Sequence, residues 1–258
     1  MTGRLDAKRA RHVARAGGVV YLLIIVLGAL GEGVVRGSIV VPGNATATAA
    51  NLRSTEWLWR LGVAGEIVLL TCATALALVL YVLLRRVDRE LALMAVFFNL
   101  ICIAIEGVAA VSLATALLPL ASASYLTAFA PEQLHAMAML AIRSHTLGFG
   151  VALIFFGVEC VILGYLIYRS AYMPRSIGIL MQIAGVCYAV NSFALLLSPT
   201  LASQLFPAIL IPSLIAELSL AAWLLVKGVR AEQWEQHGNG NQFATVPAGA
   251  ATLDVGTA

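Results

Sequence analysis

Six apolar runs dominate this chain, and they leave it little choice of environment. They fall at about 17–35, 61–84, 91–118, 145–168, 176–198 and 207–226, each close to the ~20 residues a helix needs to cross a ~30 Å hydrocarbon layer. In a bilayer only helices and closed barrels satisfy their own backbone, and these runs are continuous rather than alternating, so they predict helices. Charged residues make up 11% of the sequence, against about 25% in soluble domains. The reading is one all-α, polytopic integral membrane domain, a six-helix bundle over 17–230. A basic N-terminal segment, 1–16, precedes it, and a tail, 231–258, follows whose GNGNQ stretch and small residues predict disorder.

Arg9, Arg11 and Arg15 ahead of the first run resemble the start of a secretory signal, but the run is long for one and GEGVVRG is a poor cleavage site, so it reads as a retained helix. The basic residues then fix an orientation. With the N-terminus inside, Arg4, Lys8, Arg9, Arg11, Arg15, Arg85, Arg86, Arg89, Arg169, Arg175, Lys227 and Arg230 are cytoplasmic, twelve of the sixteen Lys and Arg. Arg36, Arg53, Arg60 and Arg143 remain outside, a bias that sets both termini in the cytoplasm of a bacterial inner membrane. The net charge of +3 is thereby accounted for by topology, and no motif supports nucleic-acid binding.

Local signals refine the picture. Ser54 or Thr55 starts the second helix with Glu56 in its first turn, and Pro131-Glu132-Gln133 starts another. From Pro131 to Tyr168 no breaker intervenes, yet 38 residues of helix would be about 57 Å long, so a division near Arg143–Gly148 is expected. Trp57 and Trp59 suggest an outer aromatic belt; Tyr81, Tyr165, Tyr168 and Trp223 suggest an inner one. Gly17, Gly28 and Gly31 in the first helix, and Gly178, Gly185 and Ala189 in the fifth, favour close helix packing. Cys72, Cys102, Cys160 and Cys187 lie within helices without CxxC spacing and read as small packing residues.

The chemistry resides in the polar residues inside the apolar runs. Glu32, Glu66, Glu106, Glu159 and Glu217 are joined there by Asn99, Asn191 and Gln182, and intramembrane ionisable groups mark pathways or sites by default. Glu159 lies ten positions before Arg169 and Glu217 ten before Lys227, which puts both about 15 Å above the inner boundary, near the midplane. Asn99 and Glu106 share a helical face, and His145 and Glu159 are offset by roughly 40° on theirs. Arg143, His145, Glu32 and Glu66 fall at the outer mouth. The expectation is an outward-opening cavity that ends at a Glu159–Glu217 pair, with Glu106, Asn99 and Asn191 on its walls. The alternative is structural: each acid a neutral carboxyl hydrogen-bonded to a neighbouring helix. No HExxH occurs, His135 and His145 are ten apart, and neither metal nor cofactor is expected.

Four stretches, VPGNATATAANLRSTEWLWRLG, LALVLYVLLRRVDRELALMAVFF, SHTLGFGVALIFFGVECVILGYLIYRSAYMPRSIGIL and IAELSLAAWLLVKGV, resemble an uncharacterised bacterial membrane family, domain of unknown function 4386. The resemblance runs from about 12 to 230 and implies six membrane helices; it implies no activity. In the family's pattern His tends to stand where this chain has Glu159 and Asp where it has Asn44.

Three functions fit these residues. The first is binding or proton-linked transport of a small cationic or amphipathic solute, in which a protein of six helices without inverted repeats would work as a homodimer. The second is an intramembrane enzyme in which a glutamate acts as general acid on a lipid or isoprenoid, with Phe155, Phe156 and Tyr188 lining the pocket. The third is a non-catalytic partner or sensor using the loops 36–60 and 119–142.

Overall fold

A computed structural model describes residues 6–235. These residues form helices joined by short turns, with no strand among them. Helix α1 runs Ala7–Ile39 and includes a π-helical turn, Leu30–Arg36. It is followed by α2 (Ala45–Ser54), α3 (Glu56–Leu84), α4 (Arg89–Thr115), α5 (Pro131–Arg169), α6 (Arg175–Leu197), α7 (Pro199–Leu205) and α8 (Ile211–Val226). Six of these segments are long and apolar enough to span a membrane. The molecule is inverted relative to a soluble fold: Val26, Leu78, Phe97, Val108 and Val186 face outward, while Glu66, Asn99, His145 and Glu159 are buried. That distribution suits a protein whose solvent is hydrocarbon.

The spanning helices pack in chain order, α1 on α3, α3 on α4, α4 on α5, α5 on α6 and α6 on α8, and α8 returns to α1. The result is a closed ring. Small residues set its tightest joints. Gly157 and Gly164 on α5 lie seven residues apart and face Gly185 and Gly178, also seven apart, on the antiparallel α6. A Cβ on Gly164 would sit 2.5 Å from the Gly178 carbonyl oxygen, and one on Gly157 2.7 Å from that of Gly185. Gly18 lies against the Leu225 backbone, so α1 and α8 close the ring equally tightly. Without a hydrophobic drive between helices in lipid, such approach is what dispersion and helix contact require.

The helix ends are satisfied locally. Asp6, Asn44 and Asp88 accept from backbone N–H groups at the starts of α1, α2 and α4. Thr55 and Glu56 open α3 as expected, and at Pro131 the Gln133 side chain accepts from the Ala130 N–H at 2.9 Å. Two features differ from expectation. Helix α5 is continuous over 39 residues and does not divide at 143–148; at about 58 Å it overruns the hydrocarbon layer. Its excess length is not exposed to solvent unaided, because Ala138 and Ile142 join Ile39, Leu52, Trp59 and Leu113 in a second apolar core beside α2. Trp59 is therefore no belt residue: it is buried and donates Nε1–H to the Leu113 carbonyl at 2.8 Å, capping the last turn of α4. Trp57 is 72% exposed.

At the opposite end lie Arg85, Arg86, Arg89, Arg169, Arg175, Lys227 and Arg230, hereafter the basic end; the end with α2 is the loop end. Arg85, Arg169, Arg175 and Arg230 stand over the rings of Tyr81, Tyr165, Tyr168 and Trp223 at 5.6–5.8 Å, the four aromatics expected as a belt. The helical reading extends further than the apolar runs at both chain ends. Helix α1 begins at Ala7, within the basic segment, and residues 231–235 form a helical turn rather than the start of a loose tail. Trp234 in that turn is fully buried, edge-on to Tyr172 and under the Arg86 guanidinium at 4.0 Å. The rest of the expected tail, and Arg4, lie outside the described residues.

Candidate functional site

Two polar layers occupy the interior of the ring. The layer toward the loop end starts at the π-turn of α1. There Arg36 reaches inward, its Nε donating to Glu32 Oε2 at 2.6 Å and its Nη1 to Glu66 Oε2 on α3 at 2.8 Å. The other oxygen of Glu66 meets His145 Nε2 of α5 at 3.2 Å. One carboxylate thus ties three helices together through two partners. Glu106 of α4 lies in the electrostatic range of Glu66 and Arg36. Glu32 is exposed at the rim, its side chain 66% accessible, while the Glu66 and His145 side chains are about as dry as the apolar core. A carboxylate at that burial persists only because Arg36 and His145 both hydrogen-bond it.

The second layer is near the middle of the bundle. Asn99 of α4 donates Nδ2–H to Glu159 Oε2 of α5 at 2.6 Å, and Glu159 is 3% exposed. Tyr188 of α6 donates its hydroxyl to Glu217 of α8, and Tyr21 of α1 is buried in the core against which Tyr188 packs. Phe156 packs against Tyr188 with ring centroids 5.2 Å apart. The Ser213 hydroxyl bonds the Ala184 carbonyl. Glu159 and Glu217 feel each other's field, but each is held by its own neutral donor. They are not a hydrogen-bonded pair at the end of an open cavity. The crevice beside Glu159 has no room for a water molecule, and a groove of about 520 Å³ on the outer face between α5 and α6 is apolar, lined by residues such as Val158, Val186, Ala189 and Phe193.

Of the candidates read from sequence, Glu159 and Asn99 meet, and His145 and Glu66 meet; Glu217 and Glu106 each face the interior of their layer. Arg143 points outward and is exposed. Asn191 is half-buried on α6, one turn beyond Tyr188. Neither enters either layer's hydrogen bonds. No group of three or more His, Cys, Asp or Glu among the described residues is arranged to hold a metal ion, and the four cysteines are unpaired.

The sequence matches the profile described as Domain of unknown function (DUF4386) over residues 16–228, from just after Arg15 within α1 to the turn after α8. The chain belongs to this family. Both polar layers lie inside the matched region. A second similarity is to an uncharacterised protein of Archaeoglobus fulgidus, 31% identical over 75 residues, which are 29% of this chain and 43% of that protein. The match therefore spans less than half of that relative's length. No solved structure matches the chain.

Two contributors were not legible as candidates. Arg36 reads as an outer-loop charge, but the π-turn winds it back to Glu66; the signal is the Glu32/Arg36 spacing of four within a glycine-rich end of an apolar run. π-turns within α-helices are frequent at functional sites. Tyr21 is a lone hydroxyl within an apolar run, and its buried side chain is the α1 contribution to the middle layer.

Proposed function

We propose that the chain is a proton-handling membrane protein that binds or moves a small cationic or amphipathic solute. The observation that supports this most is the stacking of acids in two separate internal layers. Glu66 and Glu106 lie toward the loop end, Glu159 and Glu217 near the middle, each layer drawing on several helices of one ring. Carboxyls in hydrocarbon are costly, and a bundle that needed only adhesion could use Asn or Ser. Those choices carry no proton. Four acids, one His and two tyrosines along one interior axis give a succession of groups that take up and release protons, while Phe156 and the tyrosines supply faces that attract a cation. The sealed middle layer corresponds to a state closed to both sides, and its opening is a separation of ring neighbours. In this reading the basic end faces the cytoplasm, since Lys and Arg gather there.

The test is proton flux in liposomes holding a trapped pH dye, challenged with tetraphenylphosphonium, ethidium and a series of alkylammonium ions. The expected result is a solute-dependent pH change that Glu159→Gln and Glu217→Gln abolish while the protein still elutes as a folded species. Absence of any such change in the wild-type protein across the series overturns the proposal.

A further inference from the structure

The middle layer has a direction. Between α3, α4 and α5 runs a crevice lined by Ala77, Leu80, Tyr81, Ala92, Ala95 and Leu163, with Glu159 as its polar residue. Ala92 lies three residues from Arg89, the first residue of α4, about 5 Å into the bundle, whereas Glu159 lies ten residues from Arg169, about 15 Å in. The crevice therefore begins about one helical turn inside the basic end and reaches the acid. On α4 the buried residues Ala92, Ala95, Asn99 and Cys102 follow a single helical face, so a strip of minimal side chains leads directly to the residue that holds Glu159. At its head stands an unmet polar group: the Asn99 Oδ1 atom is buried without a hydrogen-bond partner, although Nδ2 of the same amide serves Glu159. A buried carbonyl oxygen left so is costly unless water visits it. Beside Asn99 and one turn from Glu159, the rings of Phe98 and Phe155 pack with centroids 6.4 Å apart.

We propose that the α3–α4–α5 crevice is the route by which water and protons reach Glu159 from the basic end, closed in this structure and opened by a small parting of α3 from α4. Ala77, Ala92 and Ala95 are the residues that permit it, and Asn99 both orients the carboxyl and receives the incoming water. The inference rests on the proton-handling reading, but it is tested without any solute. Ala95→Cys places a thiol in the crevice with little change of volume. In sealed vesicles of known orientation, a membrane-impermeant cationic thiosulfonate should modify this thiol from the basic side and not from the loop side, the wild-type chain with its own cysteines serving as background. The adduct should then slow carbodiimide modification of Glu159 several-fold, read by peptide mass spectrometry, and leave Glu217 modification unchanged. Modification from the loop side, an inert thiol, or equal Glu159 labelling with and without the adduct overturns the route. A supported route beside a failed flux assay sinks only the transport of solute, and the reverse result sinks only the route.

Discussion

At the scale of single residues, the buried pairs are unequal. Glu66 accepts from a permanent cation, and truncating that cation strands a carboxylate in a dry site. Arg36→Ala is expected to destabilise by about 3–5 kcal/mol, seen as a lowered melting temperature in detergent, and Arg36→Ala with Glu66→Ala to recover a large part of the loss. If the double variant melts no higher than the single one, the ion pair is not what holds the π-turn to α3. Glu159 has a neutral donor only. Asn99→Ala removes it and should cost about 1–3 kcal/mol, whereas Glu159→Gln keeps an oxygen for the Asn99 amide and should melt close to wild type; a Glu159→Gln collapse would show that the acid itself, not its hydrogen bond, supports the fold. The depth of Glu159 was legible from its ten-residue distance to Arg169. Its partner was not, because a one-dimensional count ranks residues by depth and cannot say which neighbour lies across the interface. Glu217 matched Glu159 in depth, and so did Asn99, ten residues from Arg89; the hydrogen bond went to the helix packed directly against α5.

Among the elements, the α5–α6 joint is the most sharply specified. Each glycine of Gly157/Gly185 and Gly164/Gly178 faces a backbone carbonyl too closely for any Cβ, so Gly164→Leu should push the helices apart and cost stability at the level of an overpacked core, about 1–3 kcal/mol. Gly33, with open space around its missing side chain, is the control: Gly33→Ala should leave the melting temperature unchanged or raised. Equal effects at both positions would mean that the joint is looser than these distances require. Sequence placed Gly178 and Gly185 at an interface but overlooked Gly157 and Gly164, since glycine scattered through apolar helices has no visible partner until the antiparallel register is known. The expected break in α5 failed for a related reason. Length against bilayer thickness argues for a bend only when nothing covers the overhang, and α2 with the Trp59 core covers it. The six spans themselves were readable throughout, because twenty apolar residues in a row admit one solution in hydrocarbon.

For the whole molecule, six crossings put both ends of the described chain on one side. Reporter fusions at 235 and ahead of residue 6 should give the same sidedness, cytoplasmic by the positive-inside rule, and opposite results would remove one of the spans. Trp234 makes a further prediction: Trp234→Ala opens the contact with Tyr172 and Arg86 and should expose the basic end to limited proteolysis without altering the loop end. Ring closure has a consequence for how the protein comes into being. Neighbours in the ring are neighbours in the chain except at one seam, where Gly18 of α1 meets Leu225 of α8. During synthesis each new helix can dock on its predecessor, but the first helix must wait for the last. Tyr188 meets Glu217 only then, so a nascent chain halted before α8 carries an unmatched hydroxyl on α6. The last helix thus closes the ring and supplies, in one step, the carboxyl that the Tyr188 hydroxyl requires.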